Sequence, residues 1–265
     1  MTEKEYRNHS AISRSELWKI SESPEKFKYY KENPEKPTPS LVFGQLFHKL
    51  ALQPETFSEE FAIIPNIDRR TKEGKTLWAE FETESAGKTL ITAEDYQRAT
   101  EMCTSLRNSP YVNKLLSGER EKAFFWRDYL TGEECKCRVD CITETKQTNI
   151  VVDLKSALDG TTEHFMKDAV NYGYDFQAGM YLDGVEQCTG KNHTFVFVVV
   201  EKNPPYAVNI LQADKLFVKR GYDIFRELIG VYHDCKTTDN WYGYLGKFNM
   251  INNLALPAWL AKEIE

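Results

Sequence analysis

The chain of 265 residues sets 34 Lys and Arg against 40 Asp and Glu, a formal net charge of −6 that excludes a protein coating nucleic acid by charge alone. Its composition, 41% hydrophobic and 13% aromatic, supplies a core for one large domain or two small ones. The longest apolar run, Phe195 to Val200, is far short of the about 20 residues of a membrane span. MTEKEYRNHS lacks the apolar stretch of a secretory signal, and six irregularly spaced cysteines read as thiols of a reduced, cytoplasmic protein.

Ser13 with Glu16 three residues on is a capping-box pattern. It predicts a helix to about Tyr30, with Leu17, Ile20, Phe27 and Tyr30 inward and a bend near Pro24. Three prolines make 33–39 a loop. Phe43, Leu46, Phe47, Leu50 and Ala51 repeat at helical spacing over 41–52. Residues 65–76 are polar and turn-rich, and 77–86 and 93–116 read as helical. After Gly118 the pattern shifts to strands at 123–130, 135–142 and 150–154. Helices at 161–172 and 175–188 follow, then a strand pair at 194–200 and 206–210 turned at Asn203-Pro204-Pro205, then a helix over 213–233. This order predicts an α/β fold, a central mixed β-sheet flanked by helices with a helical N-terminal elaboration. We expect one domain: a mainly helical part (1–117), a core of sheet and helices (118–212), and a C-terminal helix and tail (213–265).

Strand alternation puts Lys136, Arg138 and Asp140 on one face, opposite Cys135, Cys137, Val139 and Cys141. In the next strand Val151, Asp153 and Lys155 share a face. If the two strands are hairpin partners, Asp140, Asp153 and Lys155 converge at one end of the sheet. Paired carboxylates repel unless a cation lies between them, and hard oxygen ligands suit Mg²⁺ or Mn²⁺. The bland alternative is a solvated ion pair between Asp153 and Lys155. Gln177 and Tyr181, at i and i+4, share a helix face that can look onto the same site. Alternatively Gln177 faces solvent and Tyr181 is an ordinary half-buried residue.

Asp140, Asp153-Leu154-Lys155 and Gln177-x-x-x-Tyr181 together resemble the PD-(D/E)xK nuclease superfamily with its Q-x-x-x-Y extension. Further matching stretches are Phe43-Gly44-x-x-Phe47-His48, Asp68-Arg69-Arg70-Thr71 with Gly74-Lys75, Gly87-Lys88-Thr89 with Ile91-Thr92-Ala93-Glu94, and Cys135-Lys136-Cys137-Arg138. Over roughly residues 10–260 the chain resembles the phage-type recombination exonucleases of the RecE (exonuclease VIII) and lambda-exonuclease type. One departure is Val139, where the motif expects proline.

The resemblance implies a restriction-endonuclease-like core and a processive 5′→3′ exonuclease on linear double-stranded DNA that leaves 3′ single-stranded tails. It also implies one or two Mg²⁺ ions per subunit (Mn²⁺ as substitute), a trimeric or tetrameric ring, a RecT-like single-strand annealing partner, and a phage or prophage origin. Residue by residue, Asp140 and Asp153 become metal ligands, joined by the Leu154 carbonyl. Lys155 becomes the catalytic lysine, supported by Gln177 and Tyr181. His48 becomes the metal-binding histidine, although from sequence alone it sits at the edge of an apolar helix face. Glu121 becomes an additional or outer ligand. An endonuclease or helicase-associated nuclease of the same superfamily, or a non-catalytic DNA-end-binding module, remains the alternative.

A 5′-phosphate needs donors, and the helix start at Ser13 and Ser15 offers backbone N–H groups and hydroxyls. Arg138, two residues from Asp140, offers a guanidinium. Ordinary capping and a structural ion pair are the competing roles. Arg69, Arg70, Lys72 and Lys75 form the most basic short run, a solvated loop or a contact to the duplex backbone. With Arg138 and Lys155 they could line a local channel in an otherwise acidic protein. No iron–sulfur cluster is expected. The cysteines are scattered, and thiols at i and i+2 of a strand stand roughly 7 Å apart. The apolar stretch 254–260 caps the core or meets a neighbouring subunit.

Overall fold

In the computed structural model, which describes residues 1, 3–146, 148–248, 250–251 and 254–256, a six-stranded mixed sheet separates two apolar layers. In chain order the elements begin with α1 (Glu3–Asn8), β1 (Ile12–Ser13), α2 (Arg14–Glu22), α3 (Pro24–Glu32), α4 (Pro39–Leu52) and α5 (Phe57–Glu60). β2 (Phe61–Ile63), α6 (Lys72–Glu84), β3 (Thr89–Ile91), α7 (Ala93–Arg107) and α8 (Pro110–Leu115) follow. The second half holds β4 (Glu119–Arg127), β5 (Glu134–Glu144), β6 (Asn149–Ala157), α9 (Thr162–Asn171), α10 (Tyr174–Thr189), β7 (Thr194–Glu201), β8 (Val208–Gln212) and α11 (Lys215–Thr238). Among the described residues no helix is long and apolar enough to cross a membrane.

The sheet runs β1-β5-β6-β7-β8, with β4 antiparallel on the other edge of β5. β7 explains why the sheet lies in the middle. Its Phe195, Phe197 and Val199 enter one core, with Leu17, Ile20, Phe165, Phe176 and Phe225 from α2, α9, α10 and α11. Val196, Val198 and Val200 enter the other, with Phe43, Phe47, Met102 and Val112 from α4, α7 and α8. β6 and β7 pair in parallel, and β7 is covered on both faces, hence its nearly continuous apolar sequence.

The edge of β5 facing β6 is shared. β1 pairs with Cys135 and Lys136, β6 pairs from Cys141 to Glu144, and the register leaves Cys137 to Asp140 unpaired on that side. Here the strand-parity expectation fails. Cys135, Cys137 and Val139 lie in the first core, but Cys141 lies in the second, so the alternation slips by one around Asp140.

Other expectations also need correction. The helix predicted to Tyr30 is two helices. Ser23 adopts extended backbone between them, its hydroxyl accepts from the Lys26 N–H at 3.1 Å, and Pro24 opens the second. The helix predicted over 93–116 likewise divides before Pro110. Thr71 caps α6, accepting from the Gly74 N–H at 2.9 Å, so Lys72 and Lys75 belong to a helix start and not a loop. The strand predicted at 123–130 begins at Glu119 and ends at Arg127, and the one predicted at 206–210 begins at Val208. β1, β2 and β3 are too short to show a periodicity. In the apolar tail, Leu254 and Leu256 are exposed, and 257–260 lie outside the described residues.

Candidate active site

The site forms where β5 leaves β6. In place of a ladder bond, the Asp140 Oδ2 accepts the backbone N–H of Leu154 at 2.7 Å. That bond pins the first aspartate against the D-x-K segment. Asp140 then turns toward α4, where its Oδ2 lies 3.4 Å from His48 Nδ1. His48 is positioned by the apolar face of its helix, through Phe43, Leu46, Phe47 and Leu50.

Glu121 arrives from β4. Arg120 pairs with Cys141 and Lys122 with Val139, which places Glu121 opposite Asp140. Its backbone is left-handed, with φ of 51°, a conformation that costs a non-glycine residue about 1–3 kcal/mol. Candidate ligand atoms of His48, Glu121 and Asp140 all lie within 4.8 Å of one another. A nitrogen and two carboxylate oxygens in that space are a donor set able to hold a divalent cation. Glu121 also pairs with Arg138, Nε to Oε2 at 2.7 Å.

Asp153 and Lys155 face the other layer. The Lys155 ammonium is 2.5 Å from Asp153 Oδ2 and donates to Gln177 Oε1 at 3.1 Å. The Gln177 amide donates in turn to Asp153 Oδ1. Gln177 is buried rather than solvent-facing, and it orients both members of the pair. The Asp153 Oδ2 is buried and has no hydrogen bond of acceptable geometry despite the nearby ammonium.

The charges disagree with one another in an informative way. Burial raises the Asp153 pKa, and the negative field of Asp140 adds to this against the pull of Lys155. At Asp140 burial also acts upward, but His48, Lys155 and the Leu154 N–H outweigh it and leave the pKa low. Burial works to lower the His48 pKa, yet the Asp140 charge and hydrogen bond carry it up. A cation among these groups would relieve the strained ionisation of Asp153.

The remaining expected residues are less central. Tyr181 is half-buried, with its ring edge-on to Phe195 at 6.4 Å. Leu154 is fully buried between Asp153 and Lys155. Ser13 is engaged in a complete capping box, its hydroxyl donating to Glu16 Oε2 at 2.6 Å, and Ser15 Oγ lies 3.3 Å from it. Arg69, Arg70, Lys72 and Lys75 are exposed, with Arg69 over Trp78 at 4.0 Å and Arg70 paired to Asp68 at 3.4 Å.

Sequence reasoning missed Arg14. It lies between the two serines, but its guanidinium donates to the carbonyls of Tyr172 and Gly173, the latter at 2.7 Å, and packs on Trp18 and Phe176. Burial lowers its pKa against the opposing fields of Tyr181, Tyr174 and Asp153. Tyr174 was missed as well; its ring lies 4.5 Å from the Lys155 ammonium. The only signal was the Tyr172-Gly173-Tyr174 junction. Gly173 has φ of +65°, and a Cβ there would come within 2.5 Å of Trp18. A groove of about 640 Å³ lies elsewhere, between Tyr111, Asn149, Thr194 and Gln212.

A mixed sheet presenting Asp140, Asp153 and Lys155 at one end, backed by a glutamine from the following helix pair, defines the PD-(D/E)xK class of fold. Residues 13–253 match the family model described as a PDDEXK-like domain of unknown function (DUF3799), and the chain belongs to that family. Its fold is similar to the crystal structure of a "Putative exonuclease" from Eubacterium rectale, at 13% identity and a TM-score of 0.61, over 98% of this chain and 97% of that one. A second solved structure, SSO0001, overlaps 71% of this chain and 85% of its own at 14% identity and a TM-score of 0.34, too low for a fold argument. No curated protein matches the chain.

Proposed function

We propose that the protein is a divalent-metal-dependent exodeoxyribonuclease that degrades linear double-stranded DNA from its 5′ ends and leaves 3′ single-stranded tails. The observation that carries this reading is the cluster of His48, Glu121 and Asp140, with Asp140 tied to the Asp153-Leu154-Lys155 segment through the Leu154 N–H and its charge felt at Asp153. The donor set of one imidazole nitrogen and two carboxylate oxygens, beside the disfavoured charge of Asp153, fits Mg²⁺ or Mn²⁺. When bound, such an ion supplies Lewis acidity toward a phosphoryl oxygen and lowers the pKa of a water.

The chain's own groups divide the remaining work. His48, Glu121 and Asp140 would hold the ion, with Asp153 and the Leu154 carbonyl of the adjoining strand as the further oxygens the family pattern offers. Lys155 places a positive charge where the phosphoryl oxygens accumulate negative charge. Gln177 fixes the angle between Asp153 and Lys155 through one hydrogen bond to each. Tyr181 supports that helix face. Arg138, exchanging Glu121 for a phosphate, and the Ser13–Ser15 helix start would take the 5′-phosphate. The basic run from Arg69 to Lys75 would meet the duplex backbone.

The exonuclease direction, the ring assembly and the RecT-like partner rest on the family resemblance, and the designation of the Eubacterium rectale neighbour agrees with an exonuclease. The test is digestion of 5′-phosphorylated linear duplex beside a covalently closed circle, with Mg²⁺ and with chelator. Metal-dependent loss of the linear substrate alone, with 3′ tails accumulating, is the expected result. Equal cutting of the circle means an endonuclease. Metal-independent DNA-end binding without cleavage means a binding module.

A further inference from the structure

Along α4, Gly44 lies one turn before His48 on the same face, and a Cβ there would meet nothing within 4 Å. The helix backbone beside the candidate metal site is therefore bare. Next to it, Phe43 is buried and carries two cations over its ring, the Arg98 guanidinium at 4.3 Å and the Lys202 ammonium at 5.8 Å. Arg98 comes from α7. Lys202 follows β7, and its backbone N–H donates to the Ala157 carbonyl at 2.8 Å, two residues beyond Lys155. Both cations thus stand at the same rim of the sheet as the D-x-K segment.

Their charges are incompletely answered. Arg98 pairs with Asp95 at 2.6 Å, but its Nε is buried without a hydrogen-bond partner. Lys202, half-buried, has no ion-pair partner among the described residues. Burial and the neighbouring Arg98 charge lower its pKa. Two cations on one ring are the inverse of the Asp140–Asp153 pair, and an anion between them would remove the repulsion.

We propose that Arg98 and Lys202, held on the Phe43 ring, form a phosphate subsite gripping the DNA strand beside the phosphate being cut. Phe43 precedes His48 by five residues of α4, a rise of about 7.5 Å at ~1.5 Å each, so the subsite serves a phosphate close to the one at the candidate metal site. Gly44 leaves the intervening backbone of the strand room to pass. This subsite rests on the nuclease reading above and adds a specific contact to it.

The test compares wild type with Lys202→Gln, Arg98→Gln, the double variant and Lys202→Arg on a labelled 5′-phosphorylated linear duplex. Affinity is measured by anisotropy in chelator across a salt series, digestion in Mg²⁺, and folding by thermal melting. The double variant should flatten the dependence of log K on log salt by about 0.9, one phosphate's worth. Its KM should rise about tenfold with kcat nearly unchanged. Lys202→Arg should keep the wild-type slope and KM, and Lys202→Gln should melt no lower than wild type because repulsion is relieved.

A wild type that digests duplex while the double variant keeps its KM and salt slope overturns the subsite and leaves the nuclease reading standing. A drop in melting temperature with an unchanged slope makes the pair structural and overturns it too. A wild type that binds duplex without cutting it, with the slope lost in the double variant, keeps the subsite and removes the nuclease reading.

Discussion

Two buried acidic clusters stand close together in the chain and are built on opposite principles. In the β4–β5 hairpin, Asp128 is fully buried, and its carboxylate receives both Arg226 terminal nitrogens, the second at 3.0 Å. Thr131 adds its backbone N–H at 2.8 Å and its hydroxyl at 2.6 Å. Glu133 nearby takes His233 at 3.0 Å and Lys236 at 2.6 Å. Every carboxylate oxygen there has a donor. At the β5–β6 end, Asp153 is paired with Lys155 at 2.5 Å yet also faces the field of a second carboxylate, Asp140, which with burial raises its pKa. Burial is common to both clusters; what separates them is charge balance, with each carboxylate of the first answered by cations and two carboxylates of the second facing one another.

The sharpest way to break this contrast is Asp153→Asn. It should reduce digestion of linear duplex by about 10³-fold or more if the carboxylate is central to the chemistry, while the melting temperature holds or rises because a disfavoured charge is gone. Loss of folding with the activity would return Asp153 to a structural role. Arg226→Ala is the opposite experiment. Stripping a buried carboxylate of its partner should cost about 3–5 kcal/mol in denaturant unfolding, with specific activity of the folded fraction intact.

A pH titration of stability sharpens the comparison further. Burial alone would raise the Asp128 pKa, but the Arg226 and Thr131 hydrogen bonds bring it down to about 2, below its ordinary 3.8. A depressed folded-state pKa contributes stability that is complete above the unfolded value and lost as pH falls through the folded one. Wild type should therefore lose stability from about pH 4 toward pH 2, and Asp128→Asn should flatten that part of the curve. An unchanged acid limb in the variant would refute the assignment. The smallest effect concerns Arg14. Gly173→Ala forces a Cβ into Trp18 and the Arg14 guanidinium at a left-handed backbone position. We expect a stability loss of about 1–2 kcal/mol with a lowered kcat, since the start of α10 carries Tyr174 and Gln177 toward Lys155. A variant with unchanged kcat would detach this clamp from the chemistry.

Part of the candidate site's arrangement was legible because it depends on local geometry. Alternation along β6 places Asp153 and Lys155 together, and they meet at 2.5 Å. The capping box at Ser13 needs four residues and nothing else. The Asp140 surroundings were not legible. The alternation that works along β6 slips in β5, since Cys137 and Cys141 sit in different cores. That slip depends on β1 taking one part of the β5 edge and β6 another.

The sequence by itself determined which side chains lie together along one strand or one helical turn, because those relations follow from backbone periodicity. Tertiary structure alone decided that Asp140 leaves the ladder to bond Leu154, that His48 reaches it from α4, and that Glu121 adopts a left-handed backbone opposite it. It also decided that Arg14 and Arg98 pack on aromatic rings rather than dissolve into the surface. Each of these depends on where two strands stop pairing or on which helix covers which face. No local periodicity encodes such relations between distant segments.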